Sequence, residues 1–470
     1  MPADPTTGEE EIVSQTLDEA TPRRVHVVGI GGAGMSAIAG VLAAMGHSVS
    51  GSDLKTSPVV ERLRGQGISV SIGHRADNVA GAELLTHSPA IAGDNVELVE
   101  ARRRGVPVVE RSAMLGHIAS LRRCIAVAGT HGKTTTASML SLILAESGFQ
   151  PSFLIGADVN EIGTNAVWDR GEWVVVEADE SYGSFKSILP EVAVLTNVEA
   201  DHLDHYGSVE TLRSAFDRYV ESATGATVTG ADDPVAAAIG RAHGARSVGI
   251  SADATYRMVD LELTRSAVKF ELEGPDGVLG TLRVPVPGLH NARNAAVAAV
   301  AASAVGASPE DIVSSLARFT GVPRRFEFRG EVHGVTFVDD YAHLPTEVEA
   351  ALAAGRTGRW SRIVAVFQPH RYTRTAALAG TFAGAFADAD VVVVTDVFSA
   401  GEQPVPGVSG QLVADSVSSA ERSKPVYYAP SRDALVERVA GLLRPGDLCL
   451  TLGAGDLTTL ADELQDDPRW

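Results

Sequence analysis

Ala128-Gly129-Thr130-His131-Gly132-Lys133-Thr134-Thr135-Thr136 is the stretch on which the fold turns. It follows an apolar strand-like run, Cys124 to Ala128, and opens a helical pattern from Thr135 to Glu146. A strand, a Gly-rich turn and a helix N-terminus make a cradle for anions, because unpaired backbone N–H groups and the helix dipole face the same point. Lys133 adds a point charge for terminal phosphates, and the Thr134 hydroxyl suits Mg²⁺. The usual spacing asks for a glycine five residues before Gly132, where this chain has Val127. The stretch predicts a parallel α/β domain that spends a nucleoside triphosphate.

Working outward, helix-length periodic segments alternate with short β-branched runs, the pattern of α/β domains with parallel sheets. A length of 470 residues suggests about three domains. Residues 1–22 are acidic and polar, without the basic and apolar regions of a signal peptide, and are expected to be a disordered leader. The expected domains are 23–122, 123–322 with the phosphate loop, and 323–470, which opens at the turn Gly321-Val322-Pro323-Arg324-Arg325. Alternation between Thr255 and Val286, with Gly-Pro-Asp-Gly at 274–277, predicts a small antiparallel hairpin inserted in the middle domain. The runs Ile363–Phe367, Val391–Thr395 and Leu448–Leu452 read as buried parallel strands of the third. A formal charge of −20 argues against a general nucleic-acid binder. Two cysteines in apolar runs argue against a disulfide scaffold and for a reducing cytoplasm. No stretch approaches the roughly 18 apolar residues of a membrane span.

Several strand ends carry polar clusters. Val25–Val28 runs into Gly29-Ile30-Gly31-Gly32-Ala33-Gly34, with Asp53 about twenty residues on, which is a dinucleotide fingerprint in its proper setting. The same geometry needs only a pyrophosphate over a helix N-terminus, so a UDP-sugar fits equally well. His74 and Ser88 end other runs of this block. In the middle block Glu177-Ala178-Asp179-Glu180 follows Val174–Val176, and a carboxylate there beside a phosphate loop is where Mg²⁺ would be held. Asp201-His202-Leu203-Asp204-His205 follows another strand, and His202 is a candidate for a second ion; the carboxylate-rich, cysteine-free surroundings fit Zn²⁺ less well. Asn294 offers a donor and an acceptor that match an adenine edge, while Asn291 reads equally as a helix cap. Asp340, Tyr341 and His343 follow a strand in the third block, as do His370, Arg371 and Arg374. The two arginines lie three apart, a spacing at which one helical face presents both forks to a carboxylate or phosphate.

These motifs together resemble the Mur ligases of peptidoglycan synthesis. The shared segments are 29–35, 129–135, Glu-Ala-Asp-Glu-Ser at 177–181, Glu-Ala-Asp-His-Leu-Asp-His-Tyr at 199–206, His-Asn-Ala-Arg-Asn at 290–294, Gln-Pro-His-Arg-Tyr-Thr-Arg-Thr at 368–375 and Gly-Ala-Gly-Asp at 453–456. The missing first glycine of the phosphate loop is usual in that family. The resemblance implies a Rossmann-like first domain holding a UDP-sugar, a central P-loop ATPase-like domain, and a Rossmann-like third domain that closes over the reaction centre. It implies an ATP-dependent amide ligase that joins L-alanine to the lactyl carboxylate of UDP-N-acetylmuramate through an acyl phosphate, with ATP and Mg²⁺ as cofactors. The implied contacts for the UDP-sugar are Gly29, Gly31, Gly32, Ala33, Gly34, Asp53, His74 and Ser88. Those for ATP are Gly129, Thr130, His131, Gly132, Lys133, Thr134, Thr135, Asn294, Arg325 and Asp340. Thr134, Glu177 and His202 are the implied metal ligands, and Lys133, His202, His343, Arg371 and Arg374 the catalytic set.

Two departures stand out. The family's Asp-Tyr-Gly-His-His-Pro reads Asp-Tyr-Ala-His-Leu-Pro here, so Leu344 replaces an imidazole. Sister ligases carry a carbamylated lysine downstream of the metal-binding histidine, yet Leu203 to Val220 contains no lysine. The expected protein is cytoplasmic, a monomer or weak homodimer. A recycling ligase adding a preformed murein peptide to the same sugar nucleotide is the nearest alternative. An NAD-dependent oxidoreductase leaves Lys133 and Glu177 unexplained, and a catalytically dead binding module leaves Lys133, Thr134, Glu177 and His202 without a reason to occur together.

Overall fold

β-Branched runs buried on both faces favour parallel sheets covered by helices, and the computed structural model, which describes residues 17–466, contains three sheets built mainly of parallel strands. The first comprises β1 (Arg24–Val28), β2 (Ser48–Asp53), β3 (Ser69–Ile72), β4 (Leu84–His87) and β5 (Val108–Glu110), in the order β3-β2-β1-β4-β5. All four pairings are parallel. Strand order reverses between β1 and β4, which opens a crevice at their C-terminal ends.

The middle sheet comprises β6 (Arg123–Ala128), β7 (Ser152–Val159), β8 (Thr164–Val167), β9 (Trp173–Glu177), β10 (Val192–Leu195), β11 (Ala226–Gly230), β12 (Arg246–Gly249), β13 (Tyr256–Leu263), β14 (Val268–Gly274) and β15 (Gly277–Val284). Its order is β15-β14-β13-β12-β11-β10-β6-β9-β7-β8. Three strands, rather than the expected single hairpin, fill the alternating segment. The link of two residues between β14 and β15 can only join antiparallel neighbours. The strand β6 has β10 on one side and β9 on the other, both parallel, so the loops after β6, β9 and β10 emerge side by side.

The third sheet comprises β16 (Glu327–Val332), β17 (Val335–Asp340), β18 (Arg362–Phe367), β19 (Val391–Thr395), β20 (Val426–Ala429) and β21 (Asp447–Leu452), in the order β16-β17-β21-β18-β19-β20. Only the edge strand β16 is antiparallel to its neighbour. Here the last strand inserts between β17 and β18 and brings three loops distant in sequence to one edge.

The chain folds as two compact units. One takes the chain to Val259 together with Glu271–Thr281 and Arg293–Leu316; the other takes Asp260–Phe270, Leu282–Ala292 and the chain from Ala317 on. Each core holds one buried free cysteine, Cys124 on β6 and Cys449 on β21. Of the leader expected over 1–22, residues 1–16 lie outside the described residues. The remainder is packed: Leu17 is 1% exposed in the first core. Glu19 accepts from Arg122 at 2.7 and 2.8 Å and from Trp168 Nε1 at 2.9 Å. A single leucine in a polar run carries little periodic signal, which is why this anchor was not expected. Among the described residues no helix is long and apolar enough to cross a membrane.

Candidate active site

In the first sheet, Gly29 ends β1 at φ +78°, and the backbone turns into the helix Ala33–Ala44, with Gly32 at its N-cap. Asp53, at the end of β2, is tied to this loop: its Oδ2 accepts the Gly31 N–H at 2.9 Å. His74 follows β3, and its Nδ1 lies 3.1 Å from Ser52 Oγ. Ser88 follows β4 and its Oγ accepts the Ala90 N–H at 3.3 Å. The UDP-sugar candidates thus stand at the crevice end of four neighbouring strands, each held by a local bond.

The phosphate loop is built by three adjacent strand ends. Gly132, at φ +80°, caps the helix Lys133–Glu146 in the left-handed region, which an L side chain enters only with strain. A Cβ there would also meet Asn294 Oδ1, so the buried Asn294 packs directly on the loop. The backbone of the loop is fastened from β10: Thr130 N–H donates to Asn197 O at 3.0 Å, His131 N–H to Asn197 Oδ1 at 2.8 Å, and Thr196 Oγ to His131 O at 2.6 Å. From β9, the Glu177 carboxylate accepts Thr134 Oγ1 at 3.0 and 3.1 Å and Gly156 N–H at 2.8 Å.

Lys133 Nζ donates to Gly129 O at 2.6 Å and to Glu180 Oε2 at 2.7 Å. Burial disfavours the Lys133 ammonium, but Glu180, Asp179 and Glu177 outweigh it and hold the group charged. Burial pushes the Glu180 carboxyl up to about 7 against the pull of Lys133. Asp179, Glu180 and His202 each offer a ligand atom within 4.8 Å of the others. His202 stands at φ +53°, so the turn that presents it is held in a sparsely populated backbone state. Hard oxygens at Thr134 and Glu177 fit Mg²⁺ better than a softer ion.

In the second unit, the loops after β17, β21 and β18 meet. Asp340, buried at the end of β17, accepts Phe326 N–H and Ala342 N–H, both at 2.8 Å. Burial raises its carboxyl to about 6, with Arg325 pulling the other way. Arg325 lies over the Tyr341 ring, 5.1 Å from its centroid, and 3.9 Å from Glu347. The His343 ring packs edge-on to His370 at 5.7 Å, and its Nδ1 approaches Tyr341 O at 3.1 Å. Leu344, in place of the second imidazole, is buried, and its N–H donates to Glu347 at 3.1 Å as the helix Pro345–Arg356 begins.

Of the two arginines, only Arg374 lies within the helix. Arg371, at φ +69°, caps the helix Tyr372–Leu378, and its Nε donates to Glu402 at 2.6 Å. Arg374 lies inside that helix and donates Nη1–H to His370 Nδ1 at 3.1 Å. That bond needs an unprotonated His370, whose ring is held down at about 3 by burial, His343 and both arginines. Nor does Asn291 act as an accepting cap: it lies within the helix Leu289–Ala304 and its Nδ2 donates to Pro287 O at 2.7 Å.

Three groups escaped the sequence reading. Glu180 was visible in Glu177–Glu180, and the signal for it was that a lysine on the loop beside that strand end needs a counter-charge. The bond from Arg371 to Glu402 gave no local signal, because β18 and β19 are brought together only by the sheet. Arg111 Nη1 lies 2.5 Å from where a Cβ on Gly34 would be, and its Nη2 lies 3.7 Å from Asp179. It links the Gly-rich loop of the first sheet to the carboxylates beside the phosphate loop.

Three family models match the chain: Mur ligase family, catalytic domain, over residues 24–123; Mur ligase middle domain over 127–302; and Mur ligase, glutamate ligase domain, over 324–455. A protein of Saccharopolyspora erythraea named UDP-N-acetylmuramate–L-alanine ligase is 47% identical over 458 residues, covering 94% of this chain and 92% of its own. One of the same name from Pelotomaculum thermopropionicum is 42% identical over 447 residues, covering 94% and 97%. The crystal structure of a UDP-N-acetylmuramate–alanine ligase from Thermotoga maritima superposes with a TM-score of 0.80 at 29% identity, covering 94% of this chain and 98% of that one.

Proposed function

The chain belongs to the Mur ligase family, and from that premise we propose that it joins L-alanine to the lactyl carboxylate of UDP-N-acetylmuramate at the expense of ATP. The observation that carries this is the half-buried Lys133 on its Gly-rich loop, beside Thr134 and Glu177, in a chain over 40% identical along nearly its whole length to proteins bearing that name. A lactyl carboxylate oxygen attacks the γ-phosphorus and ADP leaves, giving an acyl phosphate; the neutral amine attacks the acyl carbonyl, and phosphate leaves as the amide forms and the amine proton is released.

Each chain residue has a part in this scheme. Lys133 gives up its partners on the loop to meet charge on the transferring phosphoryl group. Thr134 and Glu177 would hold Mg²⁺ against the phosphates, and His202 a second ion; bound there, the metal supplies charge neutralisation. Asn294 orients adenine, Arg325 and Asp340 bind the nucleotide, and His343, Arg371 and Arg374 orient the carboxylate and the amino acid. Positioning of this kind supplies up to about 7–11 kcal/mol at ideal alignment. The loop after β1 holds the pyrophosphate of the sugar nucleotide. Substrates of this kind and two unoxidised, buried thiols suit the cytoplasm.

The test is phosphate release with ATP, Mg²⁺ and UDP-N-acetylmuramate, run against L-alanine, glycine, L-serine and a tripeptide. Turnover with L-alanine is expected. Turnover with the tripeptide alone would transfer the assignment to a ligase of preformed peptides.

A further inference from the structure

Glu97 is fully buried in the first unit, yet it sits at the N-terminus of a helix (Val96–Arg103) with no lysine or arginine side chain in its contacts. Its Oε1 accepts the Arg75 N–H at 3.1 Å and a short bond from Asn78 Nδ2. Its Oε2 accepts the Ser52 hydroxyl at 2.5 Å and lies 3.3 Å from His74 Nδ1 and 3.6 Å from His26 Nε2. The single hydroxyl proton of Ser52 is thereby committed to Glu97. Ser52 Oγ, 3.1 Å from the same His74 Nδ1, is then left as an acceptor. Both neighbours of Nδ1 therefore ask it for a proton. A neutral imidazole with its proton on Nδ1 keeps a lone pair on Nε2. Among the described residues, Nε2 of His74 receives no protein partner, and the side chain is 12% exposed.

The sheet order says what lies there. The Gly-rich loop follows β1, Asp53 ends β2, and His74 follows β3; these three strands are consecutive neighbours. A nucleotide whose pyrophosphate rests on the loop extends its ribose past β2 and its base past β3. We propose that Glu97 is a positioning residue that fixes the Nδ1–H tautomer of His74, so that His74 Nε2 accepts the imide N–H of uracil and turns away cytosine. Cytosine carries a lone pair where uracil carries that N–H, and two acceptors face to face leave both unsatisfied. This deepens the sugar-nucleotide reading and rests on it.

The experiment titrates UDP and CDP into the full chain by calorimetry, and reads the His74 ring nitrogens by ¹⁵N NMR. The unmodified protein is expected to favour UDP over CDP by about tenfold or more. Its Nδ1 should be protonated and its Nε2 bare. In Glu97→Gln, the amide can donate to Nδ1 and shift the ring proton to Nε2. The UDP:CDP preference then falls toward one while the KM for ATP is unchanged. Equal loss of both ligands in that variant marks a structural role only and overturns the proposal, as does Nε2–H in the unmodified protein. If Glu97→Gln fails to fold, the nitrogen spectrum and the UDP:CDP ratio of the unmodified chain decide alone. Binding of neither nucleotide would instead remove the sugar-nucleotide reading beneath it, an outcome distinct from binding without preference.

Discussion

At the scale of single residues, buried charge is tolerated here only where a partner is built in. Glu180 is 2% exposed, and its charge is answered by Lys133 at 2.7 Å. Lys133→Ala leaves that carboxylate without its cation, a change that typically costs about 3–5 kcal/mol. Urea unfolding of Lys133→Ala, Glu180→Gln and the double variant is expected to show the double variant recovering much of the loss, while none of the three alanine-bearing or glutamine-bearing chains regains full turnover. Equal stability of Lys133→Ala with and without Glu180→Gln would break the pairing argument. Glu97 makes a second case. Burial pushes its carboxyl upward, but His26, Ser52, Asn78 and the Arg75 N–H, in that order, prevail and lower it from 4.5 to about 2. Its folded value lies below its unfolded one, so its contribution is present above about pH 4.5 and fades as pH falls toward 2, by at most ~3 kcal/mol. Unfolding free energies measured at pH 5 and pH 3 should fall less in Glu97→Gln than in the unmodified chain.

At the scale of elements, the phosphate loop shows what a sequence can and cannot disclose. The strand Arg123–Ala128 and the helix Lys133–Glu146 were legible because apolar periodicity and a Gly-rich turn are local properties. The clustering of Asp340, His370 and Gly453 was not, because β21 enters between β17 and β18 from about eighty residues away, and pairing at that separation leaves no local trace. The same reason hid the bond from Arg371 to Glu402. Short charged loops also mislead: the spacing of the two arginines suits a helix, but the helix begins one residue after Arg371. A prediction belongs here. Gly132→Ala forces an L side chain to φ +80° and against Asn294, so ATP affinity should drop tenfold or more while the thermal midpoint moves little, because the strain, about 1–2 kcal/mol, is confined to one turn. Calorimetric titration with ATP reads the first and a melting curve the second; undiminished affinity would remove the loop's geometry from the argument.

At the scale of the whole molecule, three sheets built mainly of parallel strands repeat one arrangement. Each places its polar residues after the C-terminal ends of adjacent strands, and each was foreseeable as α/β from alternation alone. The sugar-nucleotide candidates and Lys133 stand on different sheets, so Lys133→Ala is expected to abolish turnover and leave UDP-N-acetylmuramate affinity nearly unchanged. Lost affinity for the sugar nucleotide in that variant, measured by calorimetry, would count against the division of labour. The net charge of −20 governs solubility and is no guide to the ligand, since the phosphate loop is cationic only through one lysine and its backbone.

The two cysteines supply a clock that needs no engineering. Burial pushes both thiols up, which leaves them unreactive while the cores are closed. Cys124 lies in one compact unit and Cys449 in the other. A disulfide reagent such as an aromatic thiol exchanger should modify each at the rate at which its own sheet opens. Replacing either by serine then leaves a single reporter, and saturating ATP should slow the Cys124 trace, because β6 runs straight into the loop that grips the nucleotide.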